Sequence, residues 1–483
     1  MENLIDRNAP WRDELRKSMP AKDRMAIERV QMNELDGEYR SHNTEEVNQG
    51  LTKEQALTEA KRCLDCAKPG CMEGCPVSIN IPSFIKNIER GEFLKAAQVL
   101  KMTSALPAVC GRVCPQEKQC ESQCIHMKTG KKPVAIGYLE RFAADYERES
   151  GQIAVPECAP ANGIKVAVVG SGPAGLSFAG DMAKKGYDVT VFEALHEIGG
   201  VLKYGIPEFR LPNKIVDVEI NNLEKMGVHF VKDCIVGKTI SFDDIKAQGF
   251  KGMFVASGAG LPNFMNIEGE NLIGVMSSNE YLTRVNLMGA AKDDFDTPVL
   301  KGKRVAVIGG GNTSMDSVRT AKRLGAELAM IVYRRSEEEM PARLEEVHHA
   351  KQEGVEFRTL HNPIKYIGDE KGRVKQMVLQ KMELGEPDAS GRRKPVAIPG
   401  AIETIDVDTV IVSIGVSPNP LIPRSIDGLE VSRKGTIVVN DDMQSAIPMI
   451  FAGGDIVRGG ATVILAMGDG RHAAAAMDNY LQK

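Results

Sequence analysis

Lys165-Val-Ala-Val-Val-Gly-Ser-Gly-Pro-Ala-Gly175 is the stretch of this sequence that decides the fold. An apolar, β-branched run leads into three glycines with G-x-G-x-x-G spacing; a helix is predicted over 176–185, and a predicted strand over 188–192 ends at an acidic residue. Glycines at these positions let backbone N–H groups approach a pyrophosphate at a helix N-terminus, while the acid accepts ribose hydroxyls. The stretch predicts a Rossmann-like dinucleotide unit with the binding residues Gly170, Gly172, Pro173, Ala174, Gly175 and Glu193.

A second copy of this design begins at Lys303, after a polar linker over 291–301. Its turn reads Gly309-x-Gly311-x-x-Ser314, a helix is predicted over 313–324, and the next strand, 329–333, ends in two arginines rather than an acid. Arginines at this point suit a 2′-phosphate, although a solvated strand end would look the same. The copy therefore predicts a site that prefers NADPH to NADH, with the binding residues Gly309, Gly311, Asn312, Thr313, Arg334 and Arg335.

Further glycine-rich stretches could bring the backbone close to a cofactor. Two predicted buried strands, over 251–258 and 409–415, end in small residues. Gly454-Asp455 precedes a helix that is rich in small residues and runs through Ala476. An aspartate there can bond a polyol hydroxyl, and a helix N-terminus can stabilise negative charge on a reduced ring, although each feature alone is typical of an ordinary turn. The candidate residues are Gly200, Leu202, Gly205, Ile206, Gly258, Gly415, Gly454, Asp455, Ala461 and Thr462.

Eight of the ten cysteines lie between Cys63 and Cys124. A capping box at Thr52 predicts a helix that delivers the first of them. The spacings in Cys63-x-x-Cys66 and the Cys-Pro pairs at Cys75 and Cys114 are typical of ferredoxin runs, where the last cysteine ligates the other cluster. A zinc site is the alternative, but it usually shows two C-x₂-C pairs. The pattern predicts two iron–sulfur clusters.

Composition sets the remaining limits. The chain has 483 residues and a net charge of −4, which gives no reason to expect nucleic acid or an anionic membrane as a partner. Residues 1–12 lack the apolar core of a signal peptide, and no apolar run is long enough to cross a bilayer, so a cytoplasmic protein is predicted. A helix is expected around 21–35 and a linker over 151–162, with no chemistry assigned to residues 1–50.

The ordered motifs resemble those of a known family. They include Cys-Gly-Arg-Val-Cys-Pro-Gln (110–116), Gly-Ser-Gly-Pro-Ala-Gly (170–175), Tyr-Gly-Ile-Pro (204–207), Gly-Gly-Gly-Asn-Thr-Ser-Met-Asp (309–316), Tyr-Arg-Arg-Ser (333–336) and Phe-Ala-Gly-Gly-Asp-Ile-Val (451–457). From about Leu51 to its end the chain resembles the small (β) subunit of NADPH-dependent glutamate synthase. It is also similar to the larger subunit of NADH-dependent ferredoxin:NADP oxidoreductase and to the N-terminal part of dihydropyrimidine dehydrogenase.

The resemblance implies an α/β flavoprotein reductase with two Rossmann-like dinucleotide-binding domains behind an N-terminal, mostly α-helical domain with two [4Fe–4S] clusters. It implies a helical iron–sulfur domain over 1–155 and an FAD-binding domain over 160–298 and 421–483, with an NADPH-binding domain inserted over 299–420. FAD then occupies the first glycine site and NADPH the second, and Asp455 and the helix start at Ala461-Thr462 meet the flavin.

The resemblance also implies the cluster ligands. One cluster takes Cys63, Cys66, Cys71 and Cys124, and the other takes Cys75, Cys114, Cys120 and the carboxylate of Glu140, which leaves Cys110 free. A carboxylate is a harder ligand than a thiolate and changes the potential of its cluster. Cys110 as the fourth ligand is the alternative.

The implied activity is hydride transfer from NADPH to FAD, followed by single-electron transfer through both clusters to a large subunit that forms glutamate from glutamine and 2-oxoglutarate. No protein acid or base is expected to be decisive, because the cofactors carry the chemistry. The alternative is a subunit of an electron-bifurcating NADH-dependent ferredoxin:NADP oxidoreductase that works with a smaller flavoprotein and ferredoxin. Either assembly is a hetero-oligomer. A disulfide reductase is disfavoured because neither dinucleotide unit contains C-x-x-C, and a non-enzymatic scaffold because both nucleotide motifs are intact.

Overall fold

The computed structural model describes residues 3–292 and 294–482. The N-terminal region is mainly helical, and its capping box at Thr52 and Gln55 is present. Its elements are α1 (Pro10–Ser18), α2 (Ala21–Ala26), β1 (Asn33–Glu34), α3 (Gly37–Arg40), β2 (Asn48–Gly50), α4 (Lys53–Lys61), α5 (Gly70–Glu73), α6 (Ile81–Glu89), α7 (Phe93–Lys101), α8 (Pro107–Val113) and α9 (Ile136–Ser150). This confirms the mostly helical N-terminal part of the predicted fold class. The predicted domain ranges begin at residue 1 and end at residue 483, which lie outside the described part of the chain.

The helix expected around 21–35 was wrong beyond Ala26. The chain turns extended at Ile27, and residues 33–34 form a strand that pairs with β2. The Val30 N–H donates to the buried carboxylate of Glu59 in α4, at 2.8 Å. Long-range hydrogen bonds of this kind overrode the local helix preference.

The first dinucleotide unit opens after residues 151–164, which have no regular structure, in agreement with the expected linker. It contains β3 (Lys165–Val169), α10 (Pro173–Lys184), β4 (Asp188–Phe192), α11 (Val201–Tyr204), α12 (Asn213–Lys225), β5 (His229–Val231), α13 (Phe242–Ala247), β6 (Phe250–Val255) and β7 (Leu261–Pro262). Pro173 stands in the first turn of α10, where its missing N–H costs nothing.

The second unit consists of a parallel sheet with its helices and an antiparallel three-stranded sheet in the order β12-β13-β14. Its elements are β8 (Val275–Ser277), α14 (Ser278–Leu282), β9 (Arg304–Ile308), α15 (Asn312–Arg323), β10 (Leu328–Tyr333), α16 (Leu344–Gln352), β11 (Glu356–Thr359), β12 (His361–Gly368), β13 (Val374–Pro387), β14 (Arg393–Asp406), β15 (Thr409–Val412) and β16 (Val416–Ser417). The parallel sheet has the order β11-β10-β9-β15-β8.

The chain then returns to the first sheet through α17 (Leu421–Ser425), β17 (Ile450–Ala452), α18 (Asp455–Arg458) and α19 (Val463–Leu481). The first sheet is parallel throughout, in the order β17-β6-β3-β4-β5. The second unit is thus inserted into the first. It begins earlier than the predicted boundary at residue 299, because β8 already belongs to the second sheet, and the short antiparallel pair β7–β16 carries the chain in and out.

A buried network of charges joins the N-terminal region and the two dinucleotide units. Arg40 from α3 donates to Glu353 at 3.0 Å, Arg319 on α15 donates to the same carboxylate, and Arg210 bonds Asp316 with both oxygens within 2.8 Å. Burial raises the pKa of Asp316 to about 6, against the opposing charge of Arg210. Removing one charged residue of this network would leave its partner buried and unpaired. The network therefore holds the N-terminal region and the two dinucleotide units in fixed positions relative to one another.

Candidate functional site

The first glycine turn has room beside one of its three glycines only. Gly170 adopts φ +99°, and a Cβ on Gly175 would lie 2.0 Å from the Gly170 carbonyl oxygen. A Cβ on Gly172 would meet no protein atom within 4 Å. Two glycines therefore serve the tight turn and the close packing of helix on strand, whereas the middle glycine faces open space at the start of α10, where a pyrophosphate fits.

Glu193 lies at the end of β4, against this turn. Its Oε2 accepts hydrogen bonds from the Ser171 N–H at 2.8 Å and the Ser171 hydroxyl at 2.5 Å, and its Oε1 accepts from the Leu195 N–H. A Cβ on Gly200 would lie 2.9 Å from the Gly172 Cα, so the loop before α11 closes over the turn. The structure thus brings the predicted residues Gly172, Glu193 and Gly200 together.

The remaining residues predicted near the first site differ in burial and in the free space around them. The side chains of Leu202 and Ile206 are buried. Gly258 follows β6 with φ +70°, and a Cβ there would meet no protein atom within 4 Å. A Cβ on Gly454 would lie 3.1 Å from the Ala174 Cβ, and one on Gly205 would lie 2.7 Å from the Val201 side chain.

Asp455 and the start of α19 lie beside the first glycine turn. Burial raises the pKa of Asp455, opposed by the N–H of Ala461. Thr462 caps α19 by accepting a hydrogen bond from the Leu465 N–H. Asp469, which the sequence did not single out, is buried and accepts from the Gly454 N–H at 2.9 Å. It therefore fixes the loop that presents Asp455.

The second glycine turn repeats the geometry of the first. Gly309 adopts φ +140°, and its Cβ would lie 2.2 Å from the Ser413 carbonyl oxygen, whereas a Cβ on Gly311 would meet nothing within 4 Å. Asn312 uses its side chain to accept from the Arg343 N–H, and Thr313 is exposed in the first turn of α15. Gly415, after β15, is exposed with φ +108°. Open space again lies at a helix N-terminus.

The two arginines after β10 differ in their surroundings. Arg335 is buried, and its guanidinium donates to Asp388 at 2.7 Å and to the Arg393 carbonyl at 2.8 Å. Arg334 is exposed and makes no ion pair with a carboxylate in the described ranges. Arg335 is thus held by the β13–β14 hairpin, whereas Arg334 is exposed to solvent, and the binding of a 2′-phosphate by both arginines stays a prediction.

The first predicted ligand set gathers near the surface of the helical domain. Burial, followed by the neighbouring thiols of Cys63, Cys124 and Cys66, raises the pKa of Cys71. Burial and Cys124 likewise raise the pKa of Cys66. Cys66 and Cys71 are partly exposed, whereas Cys63 and Cys124 are buried. The four thiols share one site, although ligation itself stays a prediction.

The second predicted set surrounds Glu140 on α9. Burial raises the pKa of this carboxyl to about 8, and its Oε1 is buried without a hydrogen-bond partner. The Glu140 charge in turn raises the pKa of Cys75, Cys114 and Cys120, after larger contributions that include burial. Cys110 lies beside Cys114, and its Sγ is 3.4 Å from the Met467 sulfur.

These donor sets fit metal clusters. Burial raises the pKa of Cys63 and of Cys75 to about 11, so these thiols stay protonated at neutral pH unless a cation favours the thiolate. The Glu140 carboxyl, whose buried Oε1 lacks a hydrogen-bond partner, likewise stays mostly protonated at neutral pH unless a cation favours its ionised form. The residues present therefore suit two iron–sulfur clusters, with Glu140 and Cys110 both near the second.

The second set lies directly against α19, whose first turn belongs to the FAD-type site. A Cβ on Gly468 would lie 2.9 Å from the Pro76 carbonyl oxygen, and Gln119 reaches the Thr462 hydroxyl at 3.5 Å. The two thiol sets lie next to each other, because the charges of both Cys75 of the second set and Cys71 of the first set raise the pKa of Cys120. The second thiol set therefore adjoins both α19, at the FAD-type site, and the first thiol set.

The N-terminal arginines form a contact that the sequence did not reveal. Asp65, between Cys63 and Cys66, is fully buried with φ +52°, and it pairs with Arg12 at 2.6 Å and Arg16 at 2.7 Å. Burial alone would raise the pKa of Asp65, but the two arginines lower it below its usual value. Residues of the N-terminal segment, to which the sequence assigns no chemistry, thus hold the loop of the first thiol set.

One further cluster of ligand atoms lies at the edge of the second unit. Glu34, Glu345 and His349 each bring one such atom within 4.8 Å of the others. Arg40 lies 3.5 Å from Glu34, and Arg343 lies 2.9 Å from Glu345, so both carboxylates are already neutralised. This cluster needs no cation.

Two family models match the chain. Residues 40–152 match dihydropyrimidine dehydrogenase domain II, 4Fe-4S cluster, and residues 164–473 match pyridine nucleotide-disulphide oxidoreductase. The protein is therefore an iron–sulfur reductase of the pyridine-nucleotide class, and the predicted fold and its cofactors, FAD, NADPH and [4Fe–4S] clusters, are confirmed.

Individual relatives narrow the class. The chain is 36% identical over 444 residues to the glutamate synthase [NADPH] small chain of Halomonas elongata, covering 90% of this chain and 93% of the relative. The chain belongs to the glutamate synthase small-chain family. It is also 37% identical over 438 residues to the NADP(+)-dependent formate dehydrogenase subunit beta of Moorella thermoacetica, covering 86% of this chain and 60% of that one.

A solved structure supports the fold of the reductase part. FprA from Mycobacterium tuberculosis in complex with NADPH aligns with a TM-score of 0.56 at 20% identity, over 67% of this chain and 85% of FprA. In the described part of the chain, no helix is both long enough and apolar enough to cross a membrane.

Proposed function

We propose that this chain is the NADPH-oxidising subunit of a glutamate synthase. In this proposal it delivers electrons through FAD and two [4Fe–4S] clusters to a large subunit that forms glutamate from glutamine and 2-oxoglutarate. The observation that carries the proposal is the nearly end-to-end match to the Halomonas elongata small chain, over 90% of one chain and 93% of the other. The expected location in the cytoplasm stays a prediction.

The residues at the two glycine turns have distinct roles in this proposal. The open space at Gly172 accepts the FAD pyrophosphate, and Glu193 shares its carboxylate between Ser171 and the ribose hydroxyls. The open space at Gly311 accepts the NADPH pyrophosphate, and Arg334 binds the 2′-phosphate. A bound flavin supplies the conversion of a two-electron hydride into single electrons.

In this proposal the helical domain carries electrons from the FAD-type site to the partner. The start of α19 and the Pro76–Gly468 contact bring the second ligand set close to the FAD-type site. Glu140 gives that set a hard oxygen ligand in place of a fourth thiolate, and Cys110 keeps its contact with Met467. The first set, next to the surface, hands electrons to the partner.

A second assembly shares these features. The chain matches the Moorella thermoacetica formate dehydrogenase subunit beta at 37% identity, so sequences of this kind also occur in proteins named for other reactions. The second candidate is a subunit of an electron-bifurcating NADH-dependent ferredoxin:NADP oxidoreductase, which the sequence motifs of this chain also resemble. It differs in the partner and the acceptor rather than in the residues of this chain.

The decisive experiment uses the cofactor-loaded chain and its native partner under anaerobic conditions. We expect NADPH to bleach the flavin absorbance of the chain alone, and glutamine with 2-oxoglutarate to restore it only when the partner is present. A Gly311→Ala variant serves as the control, because it should weaken NADPH binding and leave FAD in place. Absence of bleaching in wild type would refute the reductase function. Reoxidation by ferredoxin with NADH, but not by glutamine and 2-oxoglutarate, would favour the second candidate.

A further inference from the structure

An exposed surface near the first thiol set combines apolar side chains with lysines and has no role in the proposed function so far. Two apolar side chains, Ile125 and Met127, are exposed by 36% and 48% directly after Cys124. They stand among exposed lysines, and this surface is called the lysine face: Lys68, Lys128, Lys131 and Lys132 around Ile125 and Met127.

The loops that carry the lysine face are adjacent in space. A Cβ on Gly70 would lie 3.0 Å from the Gln123 carbonyl oxygen, so the loop from Cys66 to Cys71 touches the turn before Cys124. Lys131 donates to the Met25 carbonyl at 2.6 Å, which holds its chain against the N-terminal segment. The lysines therefore belong to one surface rather than to separate loops.

The segments that carry the lysine face contain more lysines than acids, although exposed Glu73 follows Cys71 and exposed Glu28 lies near Met25. Residues 122–139 contain three lysines and no acidic residue, and the loop between Cys66 and Cys71 contains one lysine and none. Lys68, Lys128 and Lys132 make no ion pair with a carboxylate in residues 3–292 and 294–482. The whole chain carries −4, so a local excess of positive charge departs from the average of the molecule.

We propose that the lysine face is the docking surface for the electron-accepting partner, and that this partner presents carboxylates around an apolar centre. The inference rests on the proposed function. Electron transfer falls off steeply with distance, so the acceptor has to cover the surface nearest to the outermost cluster. That surface is this one, because two residues of the first set, Cys66 and Cys71, are partly exposed, whereas Cys75 is the one partly exposed residue among the candidate ligands of the second set.

The composition of the lysine face suits such a contact. An apolar centre supplies the burial that holds a complex together, whereas a charged rim guides association and selects the orientation. Charge interactions at a rim act mainly on the association rate and weaken with salt, because the Debye length is about 8 Å at physiological ionic strength. The lysines also lie close to the anionic cluster, so an effect on its potential has to be separated from an effect on docking.

The test compares two acceptors that differ in charge only. Native cytochrome c is basic, and succinylated cytochrome c carries the same haem with an acidic surface. We expect the cofactor-loaded chain with NADPH, without oxygen, to reduce the succinylated form about tenfold faster at low salt, and added salt to remove the difference. The variant Lys68→Glu/Lys128→Glu/Lys132→Glu should reverse the preference, through KM rather than kcat. The matched control is Lys225→Glu/Lys371→Glu/Lys434→Glu, on distant exposed lysines, which should leave it unchanged.

Two measurements separate the possible failures. Flavin bleaching by NADPH is recorded for each variant, and its loss in wild type would refute the proposed function rather than the docking surface. If bleaching persists but both cytochromes react equally, or the control variant acts as strongly as the test variant, the docking surface is refuted. A shift in cluster potential with an unchanged KM would also overturn it, because the lysines would then only balance the charge of the cluster. If the triple variant fails to assemble its clusters, the neutral variant Lys68→Gln/Lys128→Gln/Lys132→Gln should lose the preference for succinylated cytochrome c, and a preference kept in that variant would refute the docking surface.

Discussion

The alanine variants of Gly172 and Gly175 should separate cofactor binding from folding. Both glycines belong to the same turn and are three residues apart, yet their surroundings are opposite. An added Cβ at Gly175 would lie 2.0 Å from the Gly170 carbonyl oxygen, whereas one at Gly172 would meet no protein atom within 4 Å. Gly172 also has φ −68° and ψ 178°, which any residue adopts without strain.

The magnitudes follow from these distances. Gly175→Ala has to open a contact of 2.0 Å, and overpacking of this kind costs about 1–3 kcal/mol, even without cofactor. Gly172→Ala places alanine at a helix N-cap, which costs about 1 kcal/mol or less. Its methyl group, however, takes the place that the pyrophosphate needs. Losing one charge-assisted hydrogen bond from the helix N-terminus costs about 1.5–3 kcal/mol, or at least tenfold in FAD affinity.

The assay measures both quantities on the same preparations. Urea unfolding of the FAD-free protein should show a lower midpoint for Gly175→Ala and nearly the wild-type midpoint for Gly172→Ala. Titration with FAD, followed by the quenching of its fluorescence, should show weaker binding for Gly172→Ala. Gly311→Ala, the same change at the second turn, is the control and should bind FAD normally. Wild-type FAD affinity in Gly172→Ala would refute the placement of the pyrophosphate.

Three further predictions concern the other residues of the site. Arg334→Gln should raise the KM for NADPH about tenfold in steady-state assays while leaving NADH unaffected, and Arg335→Gln should do much less because its guanidinium already bonds Asp388; equal effects would contradict this assignment. Cys110→Ser should retain both clusters by iron analysis and electron paramagnetic resonance, whereas Glu140→Gln should alter one signal; the opposite pattern would make Cys110 the ligand. Asp65→Ala should lower the free energy of unfolding of the helical domain by about 3–5 kcal/mol, because buried arginines lose their partner. Since the pKa of Asp65 lies below 3.8, wild type should lose this contribution only as the pH falls below about 4, and loss near neutral pH in urea titrations would show the pairing to be unimportant.

Features set by local rules could be predicted from the sequence. The glycine turns, the capping box at Thr52 and the strand ends at Glu193 and Arg334 depend on residues within one or two turns of each other. The fold class could be predicted because the sequence contains two copies of a strand, a glycine turn and a helix in the same order. The cysteine spacings identified iron–sulfur chemistry for the same reason.

Features set by distant partners could not be predicted. Arg335 looks equivalent to its neighbour until the β13–β14 hairpin brings Asp388 to it, 53 residues further along the chain. The arginines that hold Asp65 come from a segment with no recognisable motif. Strand β8 is only three residues long, so its place in the second sheet is decided by pairing with β15 rather than by a pattern of its own.

Because β7 and β16 pair with each other, the two connections between the inserted unit and its host lie side by side. The Asn263 N–H donates to the Gly415 carbonyl oxygen at 3.1 Å, so the insert leaves and re-enters its host at nearly the same point. A unit whose ends already meet adds almost no loop-closure cost to the fold that carries it. A related nucleotide unit could therefore be exchanged at this junction without rebuilding the host sheet, and the choice of electron donor could evolve separately from the clusters that carry the electrons away.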